Sequence, residues 1–281
     1  MLEQLVAQVR ETLTRWSEDK AGTMAAALAY YALFSLAPLV LIAVAVAGLV
    51  FGERAAEGQL YTQLAGMVGE ASARTVQRLV ANLRQQRSDG ILATIIGLAT
   101  LLFGASGVFS QLQDSMNTIW KAKPRSDEGA LGFLRARLLS FTMVMVIGLL
   151  LLLSLLLSAI LGAVSGYLPA LVPGGVAMGQ GLNAVAGLVV AAALFATIYK
   201  VLPDTPVPWR DVWLGALVTA LLFTVGKLAI GFYLRRAGIA SSYGAAGSLV
   251  VLLLWIYYSA MILYLGAEFT RVHGLRRGKG S

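Results

Sequence analysis

Cysteine is absent from this 281-residue chain, and histidine occurs once, as His273. Without thiols the chain has no disulfide framework, no thiolate metal site and no cysteine redox chemistry. A lone histidine in a basic tail excludes a Ser/His/Asp triad in the core and a histidine-rich metal site. The ATP-binding motif GxxxxGK followed by Ser or Thr does not occur either. We therefore predict no metal, no cofactor, no catalytic residue and no enzymatic activity.

Charged side chains are scarce as well. They make up 13% of the chain, against about a quarter in ordinary globular domains, while hydrophobic residues make up 58%. Mean hydropathy is +0.76. The apolar residues gather in runs long enough to cross a bilayer core of about 30 Å. Because backbone amides in lipid must be hydrogen-bonded within their own segment, we predict an all-α, polytopic transmembrane helical bundle that forms a single domain over residues 1–281.

Six of the apolar runs have the length of membrane-spanning helices. We predict spans at about 24–51, 91–109, 138–164, 182–199, 212–234 and 247–269. Two further segments, at about 2–20 and 55–87, interleave apolar and charged residues at helical spacing and predict amphipathic helices. The first of these helices either lies at the membrane surface or caps the bundle, and both interpretations stay open at this point.

The charges predict the orientation of the chain in its membrane. The formal net charge of +8 falls in loops and tails, so we predict no nucleic-acid partner. With six spans, the side that carries both termini holds roughly twice as many Lys and Arg residues as the other side. Since the more positive side stays in the cytoplasm, both termini are expected there.

Charged and kinked positions within the spans are the first candidates for function. A charge at the bilayer centre costs about 2.5–3.5 kcal/mol or more. Lys227 lies in the predicted fifth span, where it either faces a cavity or extends its amine outward, and Glu268 lies at the cytoplasmic end of the sixth. Pro38 frees a backbone carbonyl in the first span. Ser35 is expected either to satisfy that carbonyl or to form a hinge with Pro38.

Further polar and aromatic residues fall at the same cytoplasmic level, where they are expected to line an inward-open vestibule for a substrate headgroup or an ion. These residues are Tyr30, Tyr31, Asp114, Asn117, Tyr199, Lys200, Asp204 and Arg210, and the predicted substrate-binding set also includes Lys227, Tyr243 and Glu268. The alternative is that these side chains are interfacial anchors and interhelical hydrogen bonds that hold the bundle together.

Several short motifs occur in order along nearly the whole chain. They are Ala27-Leu28-Ala29-Tyr30-Tyr31-Ala32-Leu33-Phe34-Ser35-Leu36-Ala37-Pro38, Asn117-Thr118-Ile119-Trp120, Tyr199-Lys200-Val201-Leu202-Pro203-Asp204, Ser242-Tyr243-Gly244-Ala245-Ala246-Gly247-Ser248, Leu254-Trp255-Ile256-Tyr257 and Leu265-Gly266-Ala267-Glu268. Together these motifs resemble the YihY/BrkB family of bacterial inner-membrane proteins. The resemblance implies six spans in the bacterial cytoplasmic membrane. The family has also carried a ribonuclease label, which the absence of clustered metal-binding carboxylates argues against.

Some members of the family that the chain resembles are linked to the export of envelope lipids. The resemblance therefore implies a transporter or flippase that moves a lipid or another amphipathic anion, with membrane lipids as its partners. The alternative function is a non-transporting membrane scaffold that organises cell-envelope partners through the helices of residues 52–90. No ATP site is encoded, so transport would draw on an ion gradient, a substrate gradient or a partner protein.

Overall fold

The computed structural model describes residues 2–52, 57–58, 61–62, 64–65, 69–86, 107–122, 175–236 and 247–278. These residues are helical apart from short turns, and they contain no strand, so the predicted all-α class is confirmed for this part of the chain. The principal helices are α1 Leu2–Glu18, α2 Ala21–Phe51, α3 Glu70–Gln86, α4 at 107–120, α5 Gly175–Val201, α6 Trp209–Arg236 and α7 Gly247–Gly278. The predicted third span, and nearly all of the second, lie outside the described residues.

Three segments of these helices are long and apolar enough to cross a membrane. They are Ala177–Val201, Trp209–Ala229 and Gly247–Arg277, which coincide with the predicted fourth, fifth and sixth spans. The shortest has 21 residues, which corresponds to about 32 Å of helix. Helix α2 has 31 residues and contains no Asp, Glu, Lys or Arg. The whole predicted first span is therefore helical. That α2 crosses a membrane stays a prediction.

A tight turn at Asp19 and Lys20 separates α1 from α2. The amide of Lys20 donates to the carbonyl of Ser17 at 3.1 Å, and Lys20 has a φ of 52°. This left-handed conformation costs a residue that carries a Cβ about 1–2 kcal/mol. The turn ends α1 and starts α2 in a new direction, and it directs Asp19 toward the interior of the bundle.

Helices α5 and α6 form a hairpin that the prolines of its loop delimit. Helix α5 ends at Val201, and Pro203, Pro206 and Pro208 follow it, because a proline in a helix interior removes a backbone donor and clashes with the preceding turn. The ammonium of Lys200 closes the loop by donating to the carbonyl of Val207 at 2.5 Å. The predicted break between the fourth and fifth spans therefore lies where the prolines indicate.

Helices α6 and α7 pack closely and antiparallel through a reciprocal pair of glycines and threonines. The side chain of Thr270 on α7 fills the space beside Gly215 on α6, and Thr219 on α6 fills the space beside Gly266 on α7. Each threonine hydroxyl donates to the carbonyl four residues earlier on its own helix, both at 2.7 Å. Small residues allow such close approach between membrane helices, and the internal hydrogen bonds leave neither hydroxyl unsatisfied.

Candidate functional site

Four charged residues from three separate parts of the chain meet at one end of the helices. Glu268 and Arg271 lie on α7, Asp19 lies in the turn between α1 and α2, and Lys121 follows α4. We call this set the buried carboxyl cluster. Glu268 follows the first residue of α7 by 21 positions, or about 32 Å of helix, so the cluster lies at the far edge of the span that begins at Gly247.

Glu268 is the most unusual member of the buried carboxyl cluster. Its side chain is 0% exposed, and neither carboxylate oxygen has a hydrogen-bond partner among the described residues. A buried polar atom without a partner costs about 1–3 kcal/mol, and more when it is charged. The stability of the fold therefore does not account for a glutamate at this position.

The other members of the cluster only partly compensate the charge of Glu268. The ammonium of Lys121 pairs with Oδ1 of Asp19, whereas Oδ2 of Asp19 is buried without a partner. The carboxyl of Asp19 lies within hydrogen-bonding reach of Glu268. Arg271 is close enough to interact electrostatically with both carboxylates, yet its Nη1 is buried without a partner. The cluster thus brings two acids together with two bases and leaves several of their polar atoms unsatisfied.

A second polar group fastens the α5–α6 loop to α4. The side-chain amide of Asn117 donates to Oδ2 of Asp204 at 2.8 Å, and the backbone amide of Asp204 donates to Oδ1 of Asn117 at 2.8 Å. Gln113 donates to the same carboxylate at 3.4 Å. Although Asp114 keeps contact with solvent, partial desolvation and then the negative charge of Asp204 raise the pKa of Asp114 above its ordinary value.

Ion pairs attach α1 and α6 to the end of α7. Arg276 pairs with Glu11 at 2.8 Å, and Arg277 pairs with Asp211 at 3.2 Å. The hydrogen bond from Arg276 is the largest influence on the carboxyl of Glu11 and holds its pKa below the ordinary value, although desolvation acts in the opposite direction. His273 lies 3.5 Å from Gln8 of α1. The basic end of α7 therefore holds the N-terminal helix on the bundle.

The structure brings some of the predicted site residues together. Asn117 and Asp204 are directly hydrogen-bonded, and Asp114 lies beside them. Lys200 lies in the last turn of α5, just before the same loop, and its ammonium is 5.5 Å from the ring centroid of Trp209. Glu268 lies in the buried carboxyl cluster, which no other predicted residue within the described ranges joins.

Other predicted residues lie apart from these groups. Tyr199 is fully buried, and its hydroxyl donates to the carbonyl of Leu263 at 2.8 Å, which is a contact between α5 and α7. The rings of Tyr30 and Tyr31 are 58% and 42% exposed and pack against each other. Arg210 is exposed and Lys227 is half-buried. Tyr243 lies outside the described residues.

The predicted hinge is accommodated within a continuous helix. Helix α2 continues through Pro38 to Phe51. The hydroxyl of Ser35 is buried and donates to the carbonyl of Tyr31 at 2.8 Å, with a longer contact to Ala32 at 3.3 Å. The carbonyl that Pro38 frees lies four residues before the proline. Both acceptors of the Ser35 hydroxyl come earlier in the chain, so Ser35 does not donate to the freed carbonyl. Hinge motion at these two residues stays a prediction.

Three members of the buried carboxyl cluster did not emerge from the sequence as site residues. Arg271 had an available signal, because it follows Glu268 by three positions and so lies on the same face of α7. Asp19 and Lys121 had none, since they are 102 residues apart and meet only through the packing of the turn before α2 against the end of α4.

The membrane-length helices and the charged groups at their ends define a helical integral membrane protein. Residues 12–281 match the model of the family described as "Virulence factor BrkB". The chain belongs to this YihY/BrkB family, which confirms the resemblance seen in its motifs.

The relatives that match the chain are named as membrane proteins. A UPF0761 membrane protein of Mannheimia succiniciproducens is 27% identical over 92% of this chain and 87% of its own length. One of Tolumonas auensis is 29% identical over 91% of this chain and 82% of its own length. One of Ralstonia nicotianae is 32% identical over 94% of this chain and 58% of its own length. No solved structure matches the chain.

Proposed function

We propose that this protein is a transporter or flippase of the bacterial cytoplasmic membrane that moves a lipid or another amphipathic anion. The observation that carries the proposal is Glu268, a fully buried glutamate with two unpartnered oxygens that follows the uncharged residues 247–267 of a membrane-length helix. Ionisable residues kept in such helices mark ion and substrate pathways, because their burial opposes folding. A bundle selected for stability alone gains by placing an apolar residue there.

The cations at the same end of the helices support an anionic substrate. Lys121, Arg271 and Arg276 lie at this end of the bundle, and Lys200 lies in the last turn of α5, beside the α5–α6 loop. Arginine and lysine bind phosphate and carboxylate groups, which are the anionic parts of lipid headgroups. Lys227, half-buried on α6, is a further cation within a membrane-length segment.

The architecture that goes with this function has six spans with both termini in the cytoplasm. Helix α1 fits the surface of the cytoplasmic leaflet. Its residues Val6, Val9 and Leu13 are 66%, 47% and 51% exposed, while Glu11 on another face pairs with Arg276 of α7. An apolar face outward and a polar face inward is the arrangement of a helix that touches both lipid and the bundle. The two interpretations of this helix are thus compatible.

Reconstitution into liposomes tests the proposed activity. Labelled anionic and zwitterionic lipids are placed in one leaflet, and the fraction that becomes accessible to a membrane-impermeant quencher is followed over time. Protein-containing vesicles should move anionic lipid faster than protein-free vesicles, with less effect on zwitterionic lipid. Equal movement with and without protein for every lipid would contradict the proposal.

A scaffold function is the second candidate, and helix α3 favours it. The inner face of α3 packs through Val76 against Leu252 of α7, while Arg74 and Arg78 are exposed on its outer side. A polar outer face is available to a soluble partner. Charge reversal at Arg74 and Arg78 should release co-purified envelope proteins if the scaffold is correct, and it should leave lipid movement unchanged if the transporter is correct.

A further inference from the structure

We propose that Glu268 and Asp19 form a proton-binding site in which the two carboxyl groups share one proton. The site joins α7 to the turn between α1 and α2. It is a property of the folded protein and does not depend on transport. Its further consequence, that the proton is the coupling ion for the substrate, rests on the function proposed above.

The geometry of the two carboxyl groups carries this inference. Both oxygens of Glu268 and Oδ2 of Asp19 are buried, and none of the three has a hydrogen-bond partner in the described part of the chain. The two side chains are nevertheless within hydrogen-bonding reach of each other. Two carboxylates cannot donate to each other, whereas a carboxylic acid can donate to a carboxylate. One shared proton therefore converts two orphaned acceptors into a hydrogen bond.

The charged groups around the site do not take the place of that proton. Lys121, after α4, is engaged with Oδ1 of Asp19. Arg15, on α1, is engaged with Glu11 at 3.1 Å. Arg271, on α7 itself, faces both acids but makes no hydrogen bond through Nη1. Lys121 and Arg271 offset the charges of the two acids, but no cation among the described residues donates a hydrogen bond to the three unpartnered oxygens.

The proton also controls how tightly the elements are held together. When it leaves, two negative charges face each other in a buried space, where the repulsion is far stronger than in water. The contact between α7 and the turn at Asp19 and Lys20 then weakens. The turn carries a strained φ at Lys20, so the start of α2 is the part expected to move.

Infrared difference spectroscopy on the full chain in lipid nanodiscs tests the site directly. Between about pH 5 and pH 8, free Asp and Glu side chains are largely ionised. The wild-type protein should show the carbonyl stretch of a protonated carboxylic acid across this range. Glu268→Gln should abolish that signal, Asp19→Asn should shift it, and Glu70→Gln should leave it unchanged, because Glu70 is 71% exposed in an ion pair of its own. A wild-type spectrum without the signal overturns the proposal. That result would mean that both carboxyl groups are ionised, as they would be if a water molecule bridged them.

A labelling experiment tests the movement and does not depend on the spectra. Since the chain has no cysteine, a single thiol reports on one position. Ala21→Cys probes a residue that is 0% exposed at the start of α2, and Thr23→Cys is the exposed control two positions later. The ratio of their alkylation rates should rise at least tenfold at alkaline pH in the wild-type background and stay constant with Glu268→Gln. A constant ratio in both backgrounds contradicts the release of the turn.

The spectra and the labelling keep the two proposals separable. A protonated signal that depends on Glu268, together with lipid movement that does not differ from that of empty vesicles, retains the proton site and rejects the transporter. Lipid movement that the protein accelerates, without the protonated signal, retains the transporter and rejects the proton site.

Discussion

The contact between α6 and α7 at Gly266 gives a prediction whose size follows from the structure. A Cβ added at Gly266 would overlap the hydroxyl of Thr219, lie 2.6 Å from the hydroxyl oxygen of Tyr199 and lie 2.8 Å from Cβ of Thr219. Rotation of the threonine side chain removes the first overlap but not the last, because a Cβ moves only with its backbone. Gly266→Ala therefore has to separate the two helices, and this separation also strains the hydrogen bond of 2.8 Å that the Tyr199 hydroxyl donates to the carbonyl of Leu263 on α7.

The expected loss of stability is the cost of overpacking a tight interior. Inserting one methyl group into a well-packed site typically costs about 1–3 kcal/mol. On a scale of about 2–4 °C per kcal/mol, Gly266→Ala should lower the melting temperature by several degrees. The assay is thermal unfolding of the purified protein in detergent, followed by the monomer that survives size-exclusion chromatography.

Two further variants make the test of Gly266 specific. Gly187→Ala is the matched control, because nothing lies within 4 Å of a Cβ at that helical position, and it should be neutral or stabilise by up to about 1 kcal/mol. Adding Thr219→Ala to Gly266→Ala should recover part of the loss, because it removes the overlapping hydroxyl while Tyr199 stays close. The packing described here would be refuted if Gly266→Ala melted at the same temperature as the wild type. It would also be refuted if the double variant melted no higher than Gly266→Ala alone.

Three further predictions concern the polar groups at the ends of the helices. Asn117→Ala should cost about 1–3 kcal/mol, because Asp204 loses two hydrogen bonds in a partly buried place. Glu11→Gln should cost at most about 1 kcal/mol at neutral pH, because the pair with Arg276 is partly exposed. The folded pKa of Glu11 lies below its ordinary value of 4.5, so this contribution is present above pH 4.5 and is lost as the pH falls through the folded pKa. Asp114→Asn should raise the melting temperature at neutral pH. The folded pKa of Asp114 lies above its ordinary value of 3.8. Stability is therefore lost as the pH rises from the ordinary pKa through the folded pKa, where Asp114 becomes charged.

The controls for these three predictions use neighbouring side chains and pH. Thr118→Ala is the control for Asn117, since its exposed hydroxyl donates to the carbonyl of Asp114 on its own helix, and an equal loss in both variants would contradict the role of Asn117. Glu11→Gln and the wild type should melt together at strongly acidic pH, and a difference that persists there would contradict the ion pair. Asp114→Asn should give no gain at acidic pH, and a gain that does not depend on pH would point to packing in place of charge.

The helices themselves could be predicted from the sequence because the bilayer imposes their length. An uncharged run of about 20 residues has few alternatives to a spanning helix, and three of the six predicted runs are membrane-length helices in the structure. The break after α5 was also readable, because Pro203, Pro206 and Pro208 lack backbone donors. The close approach of α6 and α7 was harder to predict. Gly215 and Gly266 are two of 30 glycines, and nothing in the sequence distinguishes them from the others.

The candidate site could be predicted only where a single residue carries an unusual cost. Glu268 was identified because a carboxylate next to an apolar run is expensive to bury. Its partners belong to the turn after α1 and the end of α4, and in the sequence they resemble ordinary charges of cytoplasmic segments. Tyr199 fits the alternative interpretation of the predicted residues, since its buried hydroxyl forms an interhelical hydrogen bond between α5 and α7.

The most direct measurement of the central claim is lipid movement in proteoliposomes that carry the wild type, Glu268→Gln or the exposed-site control Glu70→Gln. The wild type and Glu70→Gln should accelerate the movement of anionic lipid to the same extent, and Glu268→Gln should reduce the acceleration at least tenfold while it stays folded. Full activity in Glu268→Gln, or no acceleration by the wild type, would contradict the assignment of a transport role to the buried carboxyl cluster.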